Sequence, residues 1–521
     1  MKNKRIALLI IHACVFIIAR SQTPGLLWEK KYGTSTTTLN HEALDITTDP
    51  HLRLYSTGYY NGAQIMLDSI LLGNTTTAGQ NHMFVMKSDS SGNAIWARQT
   101  KGPGRSKGFA VETDDSGFVY VLGEWFQDSI SWGSYSLSSP HGIFLVKLDS
   151  MGNTLWLRWG TPDIRYNNYP DLDISSQNNN IVITGNFINS ATFSSTVITS
   201  AGGYDIFAAE YDRNGILLWA NRYGGPADDA ANAVHYDRSG NILLAGYFNT
   251  SITFNNTIIA GNSQDTYLAK LSSNGTPMYV VNDYSAETWD VNVDLNNNYY
   301  LTGRYNNLSG YITKYTAAGV PVWSKYFTPS ANFPVYSYDI DLDLNCNLLV
   351  AGWYFDQVTI GTYTMGGNGG YYEGYVTKID TSGNVLWAVT ISGGGTDGCY
   401  AVSGIGNSIY AAGTLTRIPN TSYNDYMITK LFDYTFVGKN ELPVPAGGVN
   451  VFYEPGSFHV IADEKKDQKR KLSVYSILGH LVFQASFENS IVVPAELWKD
   501  GIYLFVIDES GKASCFKRLK Y

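Results

Sequence analysis

Lys87-Ser88-Asp89-Ser90-Ser91-Gly92-Asn93-Ala94-Ile95-Trp96 carries a spacing that the chain repeats: a basic residue, Asp two positions on, Gly five on and an aromatic ring nine on. The frame returns as Lys147/Asp149/Gly152/Trp156, Glu210/Asp212/Gly215/Trp219, Lys270/Ser272/Gly275/Tyr279, Lys314/Thr316/Gly319/Trp323 and Lys378/Asp380/Gly383/Trp387, with Glu210 the one charge reversal. Each copy predicts a β-hairpin. Asp at the first turn position can accept backbone N–H groups, and Gly at the fourth tolerates positive φ. Phe84-Val85-Met86 leads in and Ala94-Ile95-Trp96 leads out, so the Trp is placed to pack on a neighbouring sheet.

Two further strands complete each unit. One ends in Gly followed closely by a large apolar or aromatic residue, as in residues 55–60, 120–125, 183–187, 244–248, 300–305, 349–354 and 410–415; the other precedes it, as in 110–113, 233–236 and 338–343. Four strands in a unit of this size make a propeller blade. The first Trp strand, residues 26–31, lacks a Lys strand before it, and the last Lys strand, residues 426–431, lacks a Trp strand after it. Joined, they make one blade, and the markers Trp28, Trp96, Trp156, Trp219, Tyr279, Trp323 and Trp387 count the blades to seven. Closure removes both exposed sheet edges. The expected fold is all-β: a seven-bladed β-propeller over 22–439 closed by pairing of its N- and C-terminal strands, followed by a small β-sandwich domain.

Composition agrees. In 521 residues, 51 Gly and 38 Tyr against 16% charged residues suit many short strands and tight turns. Residues 1–21 have the layout of a signal peptide: a basic start, an apolar run over 6–19, and small Ala19 and Ser21, so cleavage between Ser21 and Gln22 is expected; the alternative is an uncleaved anchor. The net charge of −9 falls on the middle of the chain, because the leader is basic and the tail near neutral, which argues against nucleic acid as a partner. Cys346, Cys399 and Cys515 lack the even count and close spacing of a disulfide framework, and buried thiols are expected, although Cys346 and Cys399 could meet across neighbouring blades.

The stretch Asp228-Asp229-Ala230-Ala231-Asn232-Ala233-Val234-His235-Tyr236-Asp237-Arg238-Ser239-Gly240-Asn241, continued by Thr266-Tyr267-Leu268-Ala269-Lys270, resembles the SBBP family of repeats in secreted seven-bladed β-propellers. The resemblance covers about residues 26–436 and implies the fold rather than a reaction. After a Pro- and Gly-rich linker over 440–448, residues 449–521 show Val474-Tyr475, Leu478-Gly479, Gly501-Ile502-Tyr503 and a basic end with Lys517 and Arg518. That order is similar to the type A C-terminal sorting domain of type IX secretion cargo in Bacteroidetes, with Glu454-Pro455-Gly456 standing where that domain often has Pro-Asn-Pro. It implies export across the outer membrane by the type IX secretion machinery, then release or attachment at the outer cell surface; the alternative is a plain accessory sandwich.

No H-E-x-x-H, G-x-S-x-G, P-loop or Cys/His cluster occurs, so no catalytic residue and no cofactor is expected. Asp339, Asp341 and Asp343, and Asp171 with Asp173, alternate along strands and so share a face. Such sets suit Ca²⁺ or paired-carboxylate glycoside chemistry, against the plainer reading of hydrogen-bonded strand-end and turn residues near the mouth of the ring. Trp125, Trp132, Trp289 and Trp353 lie off the repeated spacing and are candidate ligand platforms. The expectation is a secreted or surface-bound monomeric binding or scaffold module, not an enzyme, with a glycan or protein ligand; the alternatives are a glycan lyase or hydrolase and a structural spacer. The fifth unit is unusually short between Gly303 and Lys314.

Overall fold

The computed structural model describes residues 23–33, 40–49, 52–73, 80–163, 169–262, 264–283, 286–330, 333–343, 345–366, 370–416 and 424–433, and in the tail 449–454, 457–462, 470–476, 481–488, 490–495, 498, 501–509 and 512–520. The expected leader with Ser21 and Gln22, the linker 440–448 and Gly479 lie outside the described residues.

Seven antiparallel sheets form the ring, each entered through its innermost strand: His41–Thr48, Arg105–Thr113, Asp171–Ile174, Asp229–Tyr236, Ala286–Val293, Val335–Leu342 and Gly398–Ile405, numbered here blades 1 to 7. Blade 7 takes its outermost strand from the start of the chain. Gly25–Tyr32 pairs antiparallel with Asn424–Phe432, from Gly25 opposite Phe432 to Tyr32 opposite Tyr426, which is the expected closure. Between the second and third strands of blades 1, 2, 3, 4 and 6 a small hairpin projects, such as Ser190–Phe193 with Thr196–Thr199. In blade 3 this hairpin pairs with the outer strand of blade 2, and in blade 6 with that of blade 5. Blade 5 has none, since three residues join its strands Tyr299–Tyr305 and Ser309–Tyr315. That is the shortness seen between Gly303 and Lys314.

The repeated frame is the seam between blades. Trp96 and Trp156 donate their indole N–H to the carbonyls of Ser150 and Arg213, each inside the next blade's Asp-x-x-Gly turn, at 3.1 and 3.3 Å. Lys87 and Lys147 reach the same two carbonyls. The Gly of each turn lies against the preceding Trp: a Cβ on Gly152 would stand 2.8 Å from the Trp96 ring, and on Gly92 2.8 Å from Trp28, the ring carried by the N-terminal strand. Glu210 inverts the polarity. In place of a donating Lys it accepts from Trp219, Tyr236 and Asn180.

In the tail, Val449–Glu454, Ser457–Ala462 and Ser490–Pro494 form one sheet, and Arg470–Ser476, Leu481–Phe487, Gly501–Glu509 and Lys512–Lys520 another. Phe458 and Val460 of the first share a core with Leu472, Val474, Phe505 and Ile507 of the second, the expected sandwich. Tyr503 is buried there beside Trp498, Gly501 begins its strand, and Lys517 and Arg518 lie on the last one.

Candidate functional site

The blades meet around a central channel with a cavity of about 320 Å³, lined from all seven innermost strands. A bulge decides what points into it. In six of those strands the pairing skips one residue: Leu44, Phe109, Asn232, Trp289, Tyr338 and Tyr400. Opposite each bulge stands the Gly of the second strand. A Cβ on Gly58, Gly303 or Gly352 would fall 1.9 Å from a carbonyl oxygen of the bulged strand, so only Gly leaves room for that backbone. The bulge turns the skipped side chain toward the channel, with Pro170 at the corresponding place in blade 3.

Those residues form the first of three tiers at the end of the ring where the innermost strands begin. Trp289 packs edge-on with Tyr169 at 5.2 Å and touches Tyr338 at 5.3 Å, and Tyr338 meets Tyr400 at 5.4 Å. The second tier holds Asp45, Asp171, Asp290 and Asp339; the third holds Thr47, Glu112, Asp173, His235, Asn292, Asp341 and Ser403. An innermost strand has a free edge, and these carboxylates cover it. One oxygen of each Asp accepts the N–H of its own following residue, while the other accepts an N–H from the next blade: Asp45 from Val111, Asp171 from Val234, Asp173 from Tyr236, Asp290 from Ile340, Asp339 from Val402 and Asp341 from Gly404, at 2.5–2.9 Å. Beside Asp45, across the same seam, Thr47 donates to Glu112; between blades 4 and 5 Asn232 donates to the Thr288 carbonyl, and between blades 7 and 1 Thr48 hydrogen-bonds Ser403.

Eight carboxylates line the channel, the seven of the inner tiers and Glu42 nearer the mouth, where Lys107 also stands, and His235 Nδ1 lies 3.2 Å from Asp173. Each carboxylate touches the channel space yet lies deep in the ring. Burial, reinforced by the like charge of Asp339, pushes Asp45 up to about 7; burial opposed by backbone hydrogen bonds leaves Asp341 at about 7. Burial drives Asp171, Glu112 and Asp290 well above the ordinary carboxylate range. Burial raises Asp339 as well, against the backbone N–H groups of Val402 and Ile340 that favour its charged form.

The candidate carboxylates therefore converge on the channel, with one correction. Asp343 is a turn residue outside it, accepting from the N–H groups of Asn345 and Asn347 and bound to Lys378 at 2.6 Å. The expectation of strand-end and turn hydrogen bonding holds for Asp343, whereas Asp171, Asp173, Asp339 and Asp341 bridge blades. Of the off-frame tryptophans, Trp289 and Trp353 line the mouth. Trp125 and Trp132 are core residues, 0% and 2% exposed, bonded to the Ser139 carbonyl and the Thr154 hydroxyl. Cys399 is buried and free; Cys346, expected buried, is half-buried and free. Sequence reasoning singled out Trp289 but missed Asp45, Glu112, Asp290 and the rest of the bulge tier; the signal was a residue preceding Asp or Ala at a recurring distance before a Gly, as in Leu44-Asp45 before Gly58, Trp289-Asp290 before Gly303 and Tyr338-Asp339 before Gly352. Among the described residues no group of three or more His, Cys, Asp or Glu is placed to hold a metal ion.

No family model matches the chain. It is 23% identical over 525 residues to an uncharacterized WD repeat-containing protein of Acanthamoeba polyphaga mimivirus, across 78% of this chain and 37% of that protein's length. Among solved structures it is similar to the Dos1 propeller, at 8% identity and a TM-score of 0.43 over 78% of this chain and 95% of the other. It is also similar to a protein of unknown function from Dyadobacter fermentans, at 9% identity and a TM-score of 0.38 over 79% and 99%. The strand pairing carries the fold assignment on its own: the chain is a seven-bladed β-propeller with a small second β-unit, and its sequence is similar to a WD-repeat protein.

Proposed function

We propose that this protein is an exported binding module whose ligand, a glycan or a protein, is received at the aromatic mouth of the propeller channel. The observation behind this reading is that the bulge tier gathers Trp289, Tyr338, Tyr400 and Phe109 at one end of a 320 Å³ cavity, where rings are only part-buried and Tyr169 is 38% exposed. Concave sites lined by aromatic rings with a few polar groups are the usual ligand sites of rigid scaffolds. The basic-then-apolar leader and the tail's similarity to sorting domains support secretion or display at the outer cell surface, with the type IX machinery as partner.

The convergence of carboxylates favours a second reading, a glycan hydrolase or lyase. Against it, the six channel aspartates already spend both oxygens on backbone N–H groups, which leaves neither oxygen free to attack or to protonate a glycosidic bond. A panel of intact polysaccharides incubated with the full chain separates the readings by chromatography. Polymer depletion without fragments supports the binding module; fragments, abolished by Asp339→Asn, overturn it; no change, together with no protein captured by the wild type in preference to Trp289→Ala, favours a structural role.

A further inference from the structure

The mouth is not symmetric. From Trp289 an unbroken row of rings runs outward over blade 6: Tyr338 at 5.3 Å, Trp353 at 6.2 Å from Tyr338, Tyr372 at 4.4 Å from Trp353, Phe355 at 5.1 Å from Tyr372 and Phe333 at 4.1 Å from Phe355. These residues come from the first, second and third strands of the blade and the link before it, so the row leads from the channel toward the rim. Each ring is part-buried, and Phe333 at the outer end is 44% exposed. Polar groups flank the row. Arg304 donates to the Tyr336 hydroxyl at 2.6 Å while pairing with Glu287, and Tyr336 stacks on Trp353 at 4.0 Å. A long strip of rings, edge-on to one another at Tyr372 and tilted elsewhere, edged by hydroxyl, guanidinium and carboxylate groups, suits a chain of sugar rings, whose C–H faces are apolar and whose rims are hydroxyls.

Charge narrows the sugar. The ring carries the chain's net charge of −9, a field that repels uronate or sulfate groups and tolerates neutral or amino sugars. Resting on the binding-module reading, we propose that the ligand is a linear neutral or amino-sugar polysaccharide lying along this row, with one end at the channel mouth and the chain passing over blade 6 to Phe333.

The test titrates the full chain, by calorimetry and tryptophan fluorescence, with β-linked glucose and N-acetylglucosamine oligomers from dimer to hexamer, and with oligogalacturonates of equal length. At least one neutral series should bind with affinity that rises with length, and the uronates should bind more weakly. Phe333→Ala, an exposed position where folding is not at risk, should weaken the hexamer about fivefold while leaving the dimer unchanged; Trp353→Phe and Trp289→Ala, both at the mouth, should weaken both. Equal or tighter uronate binding, affinity independent of length, or no binding by either neutral series overturns the proposal. A ligand of another class that is lost in Trp289→Ala but kept in Phe333→Ala removes the polysaccharide and leaves the mouth as a site; retention of every ligand by Trp289→Ala removes both.

Discussion

Gly152 and Trp96 are two halves of one contact. The glycine sits at φ +78°, where a side chain is strained, and its missing Cβ is the space that the Trp96 ring fills. Gly152→Ala should therefore cost about 2–3 kcal/mol, seen as a lower urea midpoint with unchanged slope, because left-handed strain and overpacking add. Cys346 presents the opposite case. It stands in the innermost turn of blade 6 at φ 59°, where the equivalent turns of blades 2 and 4 carry Gly117 and Gly240 at 77° and 78°, and its N–H closes the same bond to an Asp carbonyl. Cys346→Gly should raise stability by about 0.5–1 kcal/mol, the relief of strain exceeding the entropy lost to glycine; a lower midpoint would contradict this account.

Among the elements, the strand Gly25–Tyr32 has the largest leverage, since it completes blade 7 and carries Trp28 against Gly92. A chain beginning after Tyr32 leaves the edge of Asn424–Phe432 open, and it should lose its sharp unfolding transition and run as higher oligomers in size-exclusion chromatography. The strands, their number and this closure were legible because each rests on local chemistry: turn Asp and Gly, alternating apolar residues and a fixed ring spacing. The tier of the site was not. A bulge leaves no alternation to follow, so Tyr338 looked like an ordinary strand residue and Trp289 stood out only by lying off the repeated spacing; their aim became visible only with the Gly opposite. Asp45, Glu112 and Asp290 were hidden for a related reason. Each lies alone in its own blade, and the group they form exists only when seven distant segments are brought round one axis.

For the molecule as a whole, that axis sets the response to pH. Asp45 and Asp341 titrate near 7 in the ring against an ordinary 3.8, so between those values the folded state holds protons that the unfolded chain has released. Their contribution therefore grows as pH falls from 8. The turn residues Asp89, Asp149, Asp237 and Asp294 work in the other sense: hydrogen bonds within their turns, aided at Asp237 by Lys270, outweigh burial and hold them below 3.8, so their contribution is kept above that value and lost as pH drops through their folded values. The melting temperature should be higher at about pH 5.5 than at pH 8 and should fall again below about pH 4. Calorimetry across that range checks it, and a steady rise toward pH 8 would refute the dominance of the channel carboxylates. The closing strand also orders events in time. Its partner is among the last ring residues to be made, so no growing chain can finish the ring early, and any prematurely stopped product keeps an unpaired border that a protease can recognise. The ring thus certifies its own completeness: only a chain translated to its last blade can hide its first strand.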